Sequence, residues 1–204
     1  MSSHFFYRTN LKESRLSKVK LNAQPLLYPT PAVIVGANVG AKANFMTAAW
    51  CGVACSDPPM MSVAIRPTRR TYQGVRENMT FSINIASTDI VRETDYCGIR
   101  PGSEVDKAKV CGFKVFYGKS GTAPLIDQCP VNLDCKVIHI LDLGSHALIV
   151  GKVEEVHVSE DCLTEGKPDV DKIRPFAFVS GHYRSMGEVV AKAFEAGQDL
   201  KVRE

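Results

Sequence analysis

Arg66, Arg69, Arg70 and Thr71 stand where an apolar run gives way to a short helical stretch. Guanidinium forks, a hydroxyl and the unpaired N–H groups of a helix start are together able to grip a phosphate. The same four residues also read as a solvated basic turn. A second stretch, Lys42-Ala43-Asn44-Phe45-Met46-Thr47-Ala48-Ala49-Trp50, puts small and hydroxyl-bearing residues where bulky ones would fill an ordinary strand. Asn44 and Thr47 could hydrogen-bond a flat ligand laid along that strand edge. A plain hairpin feeding a core strand has the same composition. Ser82 and Asn84 share one face of a strand whose other face is Phe81, Ile83 and Ile85. His146 opens a strand beside Gly144-Ser145, either next to a ligand or as a hydrogen-bonded structural residue.

Other chemistries lack their residues. No G-x-S-x-G elbow is present, and His139, His146, His157 and His182 have no spacing that would pair two of them on a helix face. The seven cysteines form no C-x-x-C pair, so neither a zinc ribbon nor a thioredoxin-type centre is indicated. No G-x-G-x-x-G follows the first strand, which argues against a doubly wound dinucleotide fold.

The elements that must position these groups are mostly strands. Val33 to Gly36 reads as the first, with Gly36, Asn38 and Gly40 as a turn and Phe45 to Val53 as the returning strand. Asp57-Pro58-Pro59 breaks the chain before Met60 to Ile65, a helix spans Tyr72 to Glu77, and Thr80 to Ile85 is the fourth strand. Residues 87–128 form a helical excursion, with helices over Asp89 to Cys97 and Asp106 to Cys111 and a strand over Phe113 to Tyr117, suited to a lid or a subunit contact. Val131 to Leu141 and His146 to Val158 are long strands joined by Asp142 to Ser145, and Phe176 to Val179 is a last one. The stripe Val189, Val190, Ala193 and Phe194 predicts a closing helix over Met186 to Ala196. The fold class is therefore mainly β with peripheral helices, an antiparallel barrel or sandwich. One domain covers 1–204, with an N-terminal extension at 1–28 and the C-terminal helical segment at 186–204.

At 204 residues with 45% hydrophobic content, the chain can bury a substantial core. A net charge of +3 without a Lys/Arg stripe and interleaved aromatics gives no case for nucleic acid. No apolar run reaches the roughly 20 residues of a membrane helix, so no membrane role is expected. The first residues lack a secretory h-region, and an odd cysteine count fits free thiols in a reducing compartment; the expectation is a cytoplasmic protein.

A phosphate grip at one end and a ring-sized strand edge at the other are what a bound flavin mononucleotide requires. In motif order the chain resembles the flavin reductase-like, FMN-binding split-barrel family, which includes flavoredoxins and short-chain NAD(P)H:flavin oxidoreductases. The resemblance runs from about Pro29 to Gly187. It rests on Pro31 to Val35, Asn44 to Trp50, Ser56-Asp57-Pro58-Pro59, Arg70-Thr71-Tyr72, Phe81 to Ile85, Asp106-Lys107 before Gly112-Phe113, Ser145 to Val153 and Gly181 to Gly187.

The resemblance implies a homodimeric split β-barrel holding one FMN per subunit near the dimer interface. It implies that Asn44, Phe45, Met46, Thr47, Ala48 and Ala49 contact the ring and ribityl chain. Arg66, Arg70 and Thr71 would hold the phosphate, with Ser82 and Asn84 on the adjoining strand. His146 and Tyr183 would border the open face, where NADH or NADPH could approach. The activity implied is electron transfer from NAD(P)H through bound flavin to free flavin, a ferric chelate or another acceptor. The alternative is a flavoredoxin-type carrier that serves redox-protein partners without a pyridine nucleotide. A barrel that binds no flavin is the third reading. Cys51 and Cys55 add the idea of a thiol near the ring.

Overall fold

The computed structural model describes residues 17–200. In chain order the strands are β1 (Thr30–Pro31), β2 (Val33–Val39), β3 (Lys42–Ala48), β4 (Cys51–Ser56), β5 (Pro59–Ile65), β6 (Thr80–Ile85), β7 (Val115–Tyr117), β8 (Pro124–Ile126), β9 (Val131–Asp142), β10 (Ala147–Val158), β11 (Leu163–Thr164), β12 (Lys167–Pro168), β13 (Phe176–Val179) and β14 (His182–Ser185). The helices are α1 (Arg70–Asn78), α2 (Val91–Ile99), α3 (Lys107–Val110) and α4 (Val170–Ile173).

Seven strands pair antiparallel in the order β3-β2-β6-β9-β10-β5-β4. Strands β3 and β4 are consecutive, with only Ala49 and Trp50 between them, yet they occupy opposite edges of this sheet. The step from Ala48 to Cys51 spans about 10 Å at full extension. The two edges must therefore lie side by side, and the sheet is rolled. Ala64 N–H donates to Trp50 C=O (2.9 Å), which extends the β4–β5 ladder into the bend, but β3 and β4 do not pair with each other, so the barrel stays split. The single strand expected over Phe45 to Val53 is thus two strands, bent at Ala49-Trp50 so that the chain can change edges.

The alternation along β2, β3 and β6 divides the core. Val33, Val35, Met46, Phe81 and Ile83 pack inside the roll with Ile149, while Ile34 and Phe45 point outward and pack under the excursion with Cys97, Phe113 and Ile126. Each large side chain buried this completely contributes roughly 1.5–3 kcal/mol.

The expected turn at Gly36, Asn38 and Gly40 narrows to Gly40-Ala41, where Gly40 has φ +56°. Gly36 lies inside β2 for a different reason: a Cβ there would meet Ser82 Oγ at 2.5 Å and Pro124 O at 2.6 Å. The helix expected over Met186 to Ala196 does not form, and no helix occurs over residues 186–200. Its apolar stripe has nothing beneath it: Val190 and Phe194 are 99% and 97% exposed. A short helix without a packing surface is unstable in water. Of the N-terminal extension, residues 17–28 are exposed and without regular secondary structure, and 1–16 lie outside the described residues, as do 201–204.

Ser82 and Asn84 take a structural part. Asn84 Oδ1 accepts from Ile126 N (3.0 Å) and Asn132 Nδ2 (2.8 Å), and its Nδ2 donates to Ile34 O (3.1 Å) and Ser82 Oγ (2.9 Å). Ser82 Oγ donates in turn to Pro124 O. One amide therefore satisfies backbone groups of β2 and β8 while joining β6 to β9. Removing it leaves several buried groups without partners, each costing about 1–3 kcal/mol. Asn84→Ala is expected to lower the unfolding free energy in urea by about 2–4 kcal/mol; a loss below about 1 kcal/mol would mean that the network contributes little.

Candidate functional site

The end of β5 delivers Arg66 into a tight turn, Arg66-Pro67-Thr68-Arg69, closed by Arg69 N–H to Arg66 O (2.9 Å). Arg69 is the N-cap of α1, but its side chain makes no capping bond, and no acidic residue occupies the first turn. The partial positive end of α1 thus meets no protein anion of its own. Around this helix start lies a cavity of about 550 Å³. Its walls are the Arg66–Thr71 turn, Asn44 and Met46 of β3, the Arg100–Ser103 loop and Lys107.

Five cations line it: Arg66, Arg69, Arg70, Arg100 and Lys107. Among the described residues none of the five is in a salt bridge, and no acidic side chain is part of the lining. Arg70 reaches only the neutral Gln73, Nη1 to Oε1 at 3.3 Å.

Lys107 is the most constrained of the five. Its residue is only 4% exposed, and Nζ donates to Phe45 O (2.8 Å) and Cys97 O (2.7 Å). Burial, and secondarily the nearby Arg69, hold its pKa below the ordinary lysine value. Two carbonyl dipoles keep the ammonium in place without neutralising it. Asn44 is fixed from the other side. With Oδ1 turned toward α1 it accepts from Thr71 Oγ1 (2.7 Å) and Thr71 N (3.2 Å), which leaves Nδ2 as a donor. Gly102 closes over this amide so tightly that a Cβ would fall 2.0 Å from it.

The structure brings together Asn44, Met46, Arg66, Arg70 and Thr71 from the expected set. It separates the others. Phe45 turns its ring into the outer apolar cluster and offers only its carbonyl, to Lys107. Thr47 Oγ1 donates to Thr94 O of α2, on the face away from the cavity. Ala48 is core, and Ala49 sits at the bend between β3 and β4. Period-two alternation is the reason: one face of β3 meets the cavity and the other meets α2. Ser82 and Asn84 belong to the network under β8 and do not line the cavity.

His146 stacks on Trp50, ring centroids 4.6 Å apart, and its Nδ1 lies 2.9 Å from Ser145 Oγ. Partial burial first and the neighbouring Arg66 second depress its pKa, so at neutral pH it is an uncharged aromatic at the Arg66 side of the cavity. Tyr183 is elsewhere. Its hydroxyl donates to Asp95 Oδ1 (2.9 Å), its ring meets Phe176 edge-on, and burial followed by Asp95 pushes its pKa up to about 12. Within one chain it does not share a face with His146. Cys51 packs against the inner core and Cys55 Sγ lies 3.3 Å from Asp57 O; neither lines the cavity.

Sequence reasoning assigned no role to Lys107, Arg100 or Gly102. The motif Asp106-Lys107 did carry a signal: Asp106 Oδ1 accepts from Lys109 N (3.0 Å) and caps α3, which starts at the lysine. A lysine at a capped helix start usually points to water, and only the folded chain turns this one inward.

The cavity suits a flavin nucleotide on the chemistry of its donors: a grip of guanidinium groups and helix N–H for a phosphate, an amide and a buried ammonium beyond it, and a glycine that yields space. Comparisons with known proteins agree with that chemistry. The profile of the "Flavin reductase like domain" family matches residues 26–187. The chain is similar to the flavoredoxin of Methanosarcina acetivorans, with 35% identity and a TM-score of 0.87 over 91% of this chain and 100% of that one. It is similar to the flavoredoxin of Desulfovibrio vulgaris (Miyazaki F), with 38% identity and a TM-score of 0.82 over 89% and 100%. An uncharacterized protein of Pyrococcus abyssi is 32% identical over 145 residues, 71% of this chain and 83% of its own length. The rolled seven-stranded sheet has the split-barrel fold of FMN-binding proteins, and the chain belongs to the flavin reductase-like family.

Proposed function

We propose that this protein binds FMN in the Arg66–Lys107 cavity and passes electrons from NAD(P)H through the flavin to free flavin, a ferric chelate or another acceptor. The observation that carries the reading is a ring-sized cavity lined by five cations without a protein counter-ion. When bound, FMN supplies both the hydride acceptance and the single-electron steps. The chain's own residues bind and orient. Arg66, Arg70, Thr71 and the open N–H groups of α1 hold the phosphate. Asn44 offers an amide donor held by Thr71, and Met46 gives an apolar wall. Lys107 keeps a fixed positive charge at the inner wall, which favours an anionic ligand without any reorganisation. The tilted Trp50–His146 pair supplies an uncharged aromatic surface beside Arg66.

A second reading, a flavoredoxin-type carrier serving redox-protein partners, is favoured by near-complete coverage of two flavoredoxins at 35% and 38% identity. Anaerobic mixing with NADH or NADPH separates the two readings: bleaching of the bound flavin supports the reductase, and a flavin that stays oxidised supports the carrier. A purified protein that is colourless and takes up no added FMN would sink both.

We further infer a homodimer in the cytoplasm. Support for the dimer comes from exposed apolar side chains on either side of the barrel in the chain, with Leu27 at 73% and Val189 at 89%. The cytoplasmic reading is supported by seven unpaired cysteines and by the lack of any helix among the described residues that is long and apolar enough to cross a membrane.

Three outcomes are expected. Arg70→Ala weakens FMN about tenfold or more in a fluorescence titration but weakens riboflavin, which has no phosphate, by much less; each tenfold is about 1.4 kcal/mol. FMN affinity falls with rising pH at a point below the ordinary lysine titration. The bound anion favours protonated Lys107, whose pKa burial already holds down, so affinity is lost as pH rises through that pKa. Lys107→Met flattens this limb while the wild type keeps it. Light scattering gives the mass of two chains, and a variant ending at Gly187 shifts toward one.

A further inference from the structure

Away from the cavity, the chemistry that the proposed mechanism leaves unused is thiol chemistry. Cys97 on α2 and Cys111, the C-cap of α3, belong to one apolar cluster beneath the excursion. Glu93 and Cys97 are four residues apart on one face of α2, and Cys111 Sγ lies 4.0 Å from Glu93 O. Lys107 and Cys111 are likewise four apart, with Cys111 N–H donating to Lys107 O (2.9 Å). Lys107 Nζ then donates to Cys97 O (2.7 Å), so both backbones are tied together independently of the sulfurs. The two side chains belong to the same apolar cluster, and each thiol shifts the titration of the other.

Access to the pair is one-sided. Cys97 is fully buried in the outer apolar cluster. Cys111 is half-buried and lines a surface cavity of about 250 Å³ with Arg92, Glu93 and Tyr96. A small polar oxidant can therefore reach Cys111 first and Cys97 only through it. Cys55, on β4, lies apart from this pair, its sulfur hydrogen-bonded to the Asp57 carbonyl (3.3 Å).

We propose that Cys97 and Cys111 are a peroxide-oxidisable pair that closes into a disulfide joining α2 to α3. The Cys111 thiolate attacks one oxygen of hydrogen peroxide, breaking the O–O bond and giving a sulfenic acid and hydroxide, which takes up the proton released by the thiol as water. The Cys97 thiolate then attacks the Cys111 sulfur, forming S–S, breaking S–O and releasing a second water with the Cys97 proton. Two thiols are oxidised by two electrons and one peroxide is reduced to two waters. Burial pushes both thiols up, so the first step is slow by the standard of dedicated peroxidases. The cross-link falls beside the Cys97 carbonyl that holds Lys107, so the redox state of the pair sits one hydrogen bond from the cation-lined cavity.

The test uses the full chain, with or without flavin, and reads thiols, so it is independent of whether the flavin reading holds. After hydrogen peroxide under native conditions the wild type is expected to lose two of its seven thiols and two hydrogens of mass, reversibly with dithiothreitol. A non-reduced digest is expected to yield a peptide pair joining Cys97 to Cys111. Cys55→Ser still loses two thiols, Cys111→Ser loses none by this route, and Cys97→Ala leaves a sulfenic acid at Cys111 that dimedone traps. The wild-type digest decides even if a variant fails to fold. Seven thiols surviving the treatment, a disulfide between other cysteines, or Cys111 going on to sulfinic acid with Cys97 still reduced would each overturn the proposal.

Discussion

The Lys107 ammonium, held between the Phe45 and Cys97 carbonyls, is the interaction on which the arrangement around the cavity depends. It joins the helical excursion to the barrel at the strand that forms the cavity wall. A buried lysine is costly unless its donors are satisfied, and two carbonyls satisfy most of that demand while leaving the charge intact. The excursion is thus anchored by a group that also sets the potential inside the cavity. Replacing the lysine with an apolar residue would orphan two carbonyls and discharge the wall together. Stability and ligand preference are coupled through one atom.

The second constraint is the roll of the sheet. Because β3 and β4 sit at opposite edges with two residues between them, the bend at Ala49-Trp50 brings Trp50 to the end of β5, where Arg66 begins the cation-rich turn. His146, at the start of β10, joins the same corner because β10 pairs with β5 through Ala147 and Ile65. Residues distant in sequence meet there through strand register. Alternation then assigns each residue of β3 to one side: Asn44 and Met46 to the cavity, Phe45 and Thr47 to α2.

Most of the strand pattern was legible because period-two alternation and proline breaks are local signals: Thr80–Ile85 and Phe176–Val179 fall where the sequence pattern puts them. The gathering of Arg66, Arg69, Arg70 and Thr71 at one helix start was legible for the same reason, since they are neighbours in the chain. Ser82 and Asn84 were misplaced because a polar strand face looks alike whether it meets a ligand or a buried network; the β8 strand that covers it was too short to recognise. The C-terminal stripe has helical spacing but no surface to pack on, and spacing cannot report that.

The sequence by itself determined a strand-rich chain with an unpaired basic helix start, because alternation, turn residues and neighbouring side chains are properties of a local segment. Only the tertiary structure decided which face of β3 meets the cavity, that Lys107 points inward, and that Cys97 and Cys111 fall in one apolar cluster. Those outcomes depend on how the sheet rolls and where the excursion lands, which are set by contacts between residues far apart in the chain.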